Sequence, residues 1–296
     1  MEGAPLKKTE SPLRRFIKLL VKVAVTVVCF WYISKKIDFR QAVDALEKAN
    51  WWLLLVALCF FIFSKLFSAV RLNIYFRNIN IHLPEWSNIK LYWLGMFYNL
   101  FLPGAISGDA YKVILLTRRF GVTYKKTTAA VLLDRFSGLL ALGLILSVYG
   151  FIVLDNRIYQ MALIAGAAIA VIALYYAVVF YFKDFIPGFW PTFFWGLLVQ
   201  LLQVICVYFI VAALRLPVWQ HEWIFIFLAA AVISVLPISL GGGLGTREVV
   251  FVEGARYFHL DQHIAIVVSL LFYLITVLGS AEGLYFVFRT PFSEKK

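Results

Sequence analysis

Three short stretches combine residue types capable of chemistry with spacings that could bring them to one place. The first is Pro103-Gly104-x-x-x-Gly108-Asp109-x-x-Lys112. Its glycines permit tight turns and close backbone approach. Asp109 stands where it could cap the helix that follows. A re-entrant turn and its cap would account for these residues; so would a substrate-lining turn with free amides and Lys112 beside an anion. The second is Pro237-x-x-x-Gly241-Gly242-Gly243-x-Gly245-Thr246-Arg247-Glu248. A glycine nest at a helix start can hold a phosphate. Thr246 could cap that helix, and Arg247 could grip a phosphate bidentately or pair with a carboxylate. Close packing with an Arg247–acid pair is the structural alternative. Neither the P-loop spacing nor a Rossmann fingerprint is present, so nucleotide binding is not expected. The third is the adjacent pair Asp134-Arg135 inside an apolar run. Neighbours in sequence do not face each other on a helix, so each is expected to have its own partner. An interhelical salt bridge is one reading. The other sets Arg135 on a headgroup phosphate, with Asp134 as its orienter.

Glu282 also lies within an apolar run. Lys65, Arg71 and Arg135 are its candidate partners; a protonated Glu282 relaying protons in a coupled transporter is the functional alternative. The cysteines Cys29, Cys59 and Cys206 all lie in apolar runs without close partners, which argues against a disulfide framework. The histidines show no zinc spacing. Neither a metal nor another cofactor is expected.

The elements that must position these residues follow from composition. Apolar residues make up 62% of the 296, and charged residues 15%. A soluble domain is nearer 45–50% and about 25%. Such a chain would expose far more apolar surface than water tolerates, so a bilayer is the expected solvent. The expected fold is all-α, with about six full transmembrane helices: 16–34, 52–70, 127–150, 159–182, 193–214 and 264–288. Lys65 and Arg71 fall near the far end of the second of these and are read as snorkelling to the headgroups. The run from Leu91 stops after 12 residues at Pro103-Gly104, too short to cross about 30 Å of hydrocarbon. The run from Trp223 likewise breaks at Pro237. Both are expected to be re-entrant broken segments.

The net charge of +12 tests that arrangement. On a soluble chain it would suggest nucleic acid, but the bases form no folded basic domain, and no nucleic-acid partner is expected. With both broken segments re-entrant, both termini share the side of the Lys/Arg-rich N-terminus, the cytoplasm. The whole excess of +12 then falls on that side and none on the other. Making both segments full spans would turn Lys112, Arg118, Arg119, Lys125 and Lys126 outward. Residues 1–15 are thus a basic cytoplasmic tail, 16–288 a single transmembrane domain, and 289–296 a second cytoplasmic tail. Span, span, broken segment, span occurs twice in opposite orientation. That gives an expected 3+3 inverted repeat of 16–150 and 159–288, a plan common among secondary transporters.

Phe101-Leu102-Pro103-Gly104-x-x-x-Gly108-Asp109, Leu133-Asp134-Arg135-Phe136-Ser137-Gly138 and Leu236-Pro237 through Gly245-x-x-Glu248 together resemble the lysylphosphatidylglycerol synthase transmembrane-region, or flippase-like, family. The resemblance runs over about residues 15–290. It implies a membrane lipid-translocation domain, fused in better-known members to a soluble aminoacyltransferase. No such portion follows the last span, so synthase chemistry is not expected. The expected protein is a flippase in the cytoplasmic membrane, moving a phospholipid or a polyprenyl-phosphate-linked lipid. Arg247, Arg135 and Lys112 would hold the phosphate beside Thr246 and the amides around Gly104, Gly108, Gly242, Gly243 and Gly245. Asp109, Asp134, Glu248 and Glu282 would support or couple. Two other classes remain open. One is a non-catalytic membrane partner of a lipid-modifying glycosyltransferase or synthase. The other is a headgroup-modifying enzyme using the same acids.

Overall fold

A computed structural model describes residues 47, 49–101, 106–235, 246–289 and 291–292. The segment expected as the first span, 16–34, lies outside the described residues, as do Gly104, Gly242, Gly243 and Gly245. The described chain is helical throughout: α1 Trp51–Arg77, α2 Glu85–Phe101, α3 Ser107–Phe120, α4 Tyr124–Val153, α5 Arg157–Tyr181, a 3-10 turn Lys183–Gly188, α6 Phe189–Ala213, α7 Glu222–Val235, α8 Thr246–Tyr257, α9 Gln262–Ser280 and α10 Glu282–Phe288.

Local sequence starts and stops these helices. Asn50 caps α1 by accepting from the Trp52 amide at 3.1 Å, and Asn156 caps α5 through Ile158 at 2.8 Å. Asp261 accepts from both His263 and Ile264 at the head of α9. Gly121, at φ 69°, ends α3 in the left-handed conformation that glycine adopts without penalty. Five stretches are long and apolar enough to cross a bilayer: Trp51–Arg77, Tyr124–Val153, Arg157–Tyr181, Lys183–Ala213 and Gln262–Phe288. The protein is therefore an all-α, multi-pass membrane protein.

The expected helix limits shift in two instructive places. α1 continues seven residues beyond Val70, to Arg77. Lys65 therefore sits near the midpoint of a 27-residue helix, with about 20 Å of helix on either side. It cannot snorkel to a headgroup, and Arg71 is buried. The last apolar stretch is also divided: α9 ends at Ser280 and α10 begins at Glu282, so Glu282 heads a new helix, exposed in the isolated chain.

Two apolar clusters hold the bundle together. One joins α1, α6, α7, α8 and α9 through Phe61, Val207, Phe227, Phe251 and Phe272. The other joins the C-terminal part of α1 to α2, α3 and α4 through Leu72, Leu91, Leu116 and Ala130. α1 belongs to both and packs most extensively on α6. α10 lies against α2, where a Cβ at Gly283 would overlap the Trp93 carbonyl. Trp93 ties α2 to the end of α9 by donating its indole N–H to the Gly279 carbonyl at 2.9 Å. α5 is the outlier: 6% of its apolar window is buried, against 33–56% in the other four long stretches. It presents almost its whole circumference to the membrane.

Candidate functional site

The side chains able to carry charge inside the bundle gather at the two interrupted segments, and α1 runs between them. At the first interruption, α2 and α3 meet so closely that a Cβ on Gly108 would overlap the backbone of Gly95. The absence of both side chains is what lets the head of α3 lie on α2. The amide of Gly108 donates to Asn99 Oδ1 at 2.8 Å. Asn99 thus performs the capping expected of Asp109, and the Asp109 carboxylate turns to two cations. Lys112 Nζ donates to Asp109 Oδ1 at 2.8 Å, and Arg135 Nε donates to Asp109 Oδ2. Lys112 is buried beneath Gly95 and lies 5.0 Å from the centre of the Tyr92 ring.

The adjacent pair Asp134-Arg135 is indeed split between partners. Arg135 goes to Asp109, while Asp134 accepts from Arg71 Nε at 2.7 Å. The Arg71 guanidinium packs tightly on Gly138 of α4 and lies beside Gly196 of α6. A Cβ on Gly138 would stand 3.0 Å from Arg71 Nη1, and one on Gly196 3.5 Å. Arg71 Nη1 is buried without a hydrogen-bond partner. Three cations, Arg71, Lys112 and Arg135, thus share two carboxylates, leaving one positive charge in a mostly buried network. Arg71, expected to snorkel to the headgroups, is instead buried against Asp134. Asn99 carried no signal at all, since an amide in an apolar run announces nothing about the helix it will cap.

At the second interruption, Thr246, Arg247 and Glu248 form the first turn of α8. Ser269 of α9 donates to Glu248 Oε1 at 3.2 Å. Arg247 is only 6% exposed, and its Nη2 has no hydrogen-bond partner. It takes no part in any ion pair among the described residues; its charge lies over rings instead, 4.5 Å from the centre of Phe272 and 5.8 Å from that of Phe251. The three expected phosphate-holding cations are therefore unlike one another. Lys112 and Arg135 are both engaged by Asp109. Arg247 is buried and makes no ion pair among the described residues. Glu282 joins neither group, and two of its expected partners, Arg71 and Arg135, are bound to Asp134 and Asp109.

Further ionisable groups adjoin these. Lys112 lies within range of Asp134, Asp134 holds Arg71, and Arg71 lies within range of Lys65. Cys206 of α6 is within range of both Lys65 and Arg247. Away from these groups, an apolar cleft of about 400 Å³ opens between α4 and α5, lined by Phe136, Gly143, Leu146, Ala162, Gly166 and Leu174 among others. No charged side chain lines it, so it suits hydrocarbon. Among the described residues no cluster of His, Cys, Asp or Glu could hold a metal ion.

The model of the family described as the lysylphosphatidylglycerol synthase TM region matches residues 19–187. That range takes in Asp109, Lys112, Asp134 and Arg135 and stops short of Arg247, so it is narrower than the stretch over which the motifs were read. A UPF0104 membrane protein of Pyrococcus horikoshii is 24% identical over 176 residues, covering 58% of this chain and 51% of that protein. The chain thus spans about half the length of the curated relative it matches.

Proposed function

The chain belongs to the lysylphosphatidylglycerol synthase transmembrane-region family, and from that premise we propose that it carries a phosphate-bearing lipid headgroup across the cytoplasmic membrane. Family membership supports a lipid-handling role in the membrane. The finer reading is of six full spans and two re-entrant segments, arranged as inverted repeats 16–150 and 159–288, with both termini cytoplasmic. In that arrangement the interruptions after α2 and after α7 enter from opposite faces and approach the middle of the membrane. Non-helical backbone is tolerated at that depth only inside protein or beside a wet cavity.

One observation carries the proposal: Arg247 is buried at the head of α8, makes no ion pair among the described residues, and has an Nη2 without a hydrogen-bond partner. A buried guanidinium held in no ion pair inside a membrane domain is unfavourable unless an anion visits it. A lipid phosphate supplies that anion and matches the planar fork. Thr246 and the helix-start amides add donors, with Gly242, Gly243 and Gly245 allowing the backbone to come close. Lys112 and Arg135 form a second station at the other interruption, beside Gly104 and Gly108. There Asp109 exchanges one of its cations for the passing phosphate. Asp134 supports this station by holding Arg71, and Glu248 and Glu282 flank the path. The acyl or polyprenyl chains stay in hydrocarbon, for which the cleft between α4 and α5 offers an apolar wall.

Lipid analysis of the purified protein tests this reading. Wild-type protein is expected to retain a phosphate-bearing lipid that Arg247→Glu loses. If both forms retain the same lipid, Arg247 is not the phosphate site. A helper protein for a lipid-modifying glycosyltransferase or synthase would instead show dispensable interior charges and a copurifying enzyme. A headgroup-modifying enzyme would form product from lipid in detergent.

A further inference from the structure

We propose that Lys65 and Arg247 act together as a two-cation clamp, and that the headgroup it accepts carries a net negative charge. This rests on the reading of the protein as a lipid transporter. Lys65 is partly buried near the midpoint of α1, a position from which its four-carbon stem cannot reach either membrane surface. It stands in no ion pair among the described residues. The two aspartates of the charged network are committed: Asp134 to Arg71, Asp109 to Lys112 and Arg135.

The two unpaired cations face one aromatic ladder. Lys65 Nζ is 4.6 Å from the centre of the Phe61 ring, and Phe61 meets Phe272 edge-on with centroids 5.8 Å apart. Arg247 Cζ lies 4.5 Å from the centre of the Phe272 ring of the same pair. Cys206, within electrostatic range of both cations, marks the same region from α6. Ring contacts replace only part of what a cation loses in leaving water. The remaining deficit is what an anion would relieve.

Glu248 is the acid nearest to Arg247, and its carboxylate accepts from Ser269. Counting Glu248 against Arg247 and Lys65 still leaves one uncompensated positive charge. A headgroup with a phosphate and no amine neutralises it; a zwitterionic headgroup brings a second positive charge into the same region and leaves it standing. The clamp therefore selects by net charge, and it draws one cation from α1 and one from α8. Neither arm alone gives the selectivity.

The test uses the full chain in nanodiscs of mixed phosphatidylglycerol, net charge −1, and phosphatidylcholine, net charge zero. Lipid retained after extraction is counted by mass spectrometry for wild type, Lys65→Met, Lys65→Gln and Lys65→Arg, with melting temperature as a check on folding. Wild type is expected to enrich phosphatidylglycerol at least tenfold over phosphatidylcholine. Lys65→Met and Lys65→Gln are expected to lose most of that enrichment while still retaining lipid, and Lys65→Arg to restore it. Retention of both lipids without preference by wild type overturns the clamp. So does wild-type enrichment in a folded Lys65→Met or Lys65→Gln protein. Failure of wild type to retain any lipid overturns the transport reading itself.

Discussion

Burial turns single charges into commitments. Arg71 and Asp134 neutralise each other across α1 and α4 at 2.7 Å, with both side chains almost out of solvent. Removing one partner strands the other charge inside the bundle, which is far worse than removing both. Asp134→Leu alone is expected to destabilise the protein by about 3–5 kcal/mol, and Arg71→Leu combined with Asp134→Leu to recover most of that loss. Thermal unfolding in detergent measures both. A double variant as unstable as the single one would show that the pair does more than neutralise itself. This pairing was only half legible in the sequence. An aspartate inside an apolar run declares that it needs a cation, and the separate partners of Asp134 and Arg135 follow from helical geometry. Which cation serves Asp134 leaves no local trace, because Arg71 lies 63 residues away. Arg71 also sits where a shorter α1 would have ended, so it read as a surface residue.

Helices here meet where side chains are missing. α3 rests on α2 because the Gly95 backbone fills the space a Cβ on Gly108 would need, and the Lys112 side chain fills the space one on Gly95 would need. Gly108→Leu is expected to push α3 off α2 and lower the melting temperature, an overpacking penalty of about 1–3 kcal/mol or more. Gly166 of α5 is the matched control, since a Cβ there meets nothing within 4 Å. Gly166→Ala is expected to leave stability unchanged or raise it by up to about 1 kcal/mol. An equal loss from both variants would contradict this account of packing. The long helices themselves were easy to read, because runs of 25 or more apolar residues have few alternatives in a bilayer. Their ends were harder. α1 gained a last stretch containing Asn73 and Arg77, polar residues that hydropathy places outside a span. Both find tertiary partners: Asn73 donates to the Leu83 carbonyl at 3.2 Å, and Arg77 pairs with Glu85. The break at Ala281 between α9 and α10 falls within Gly279-Ser280-Ala281-Glu282-Gly283, a small-residue stretch inside an apolar run that the hydropathy pattern passes over.

For the molecule as a whole, one-sided charge sets the proposed orientation. Single cysteines introduced at Gly121, between α3 and α4, and at Asp155, between α4 and α5, stand at opposite ends of the long helix α4. Impermeant maleimide applied to intact cells is expected to label Asp155→Cys from outside, and Gly121→Cys only after the membrane is opened. The reverse pattern would invert the positive-inside assignment. Cys29, Cys59 and Cys206 are replaced by serine beforehand, so that each introduced cysteine is single. The same orientation would set the interruption after α2 against the cytoplasm and that after α7 against the other face. A phosphate crossing between them would pass from Arg135 and Lys112 along α1 to Lys65 and Arg247.

Headgroup translocation tests that path most directly. The protein is reconstituted into vesicles containing a trace of headgroup-labelled phospholipid, and label reaching the opposite leaflet is read by chemical quenching. Wild-type protein is expected to move label well above protein-free vesicles. Arg247→Glu, folded and inserted to the same extent, is expected to fall at least tenfold, the loss of about one charge-assisted phosphate contact. Translocation by Arg247→Glu at the wild-type rate would contradict the account.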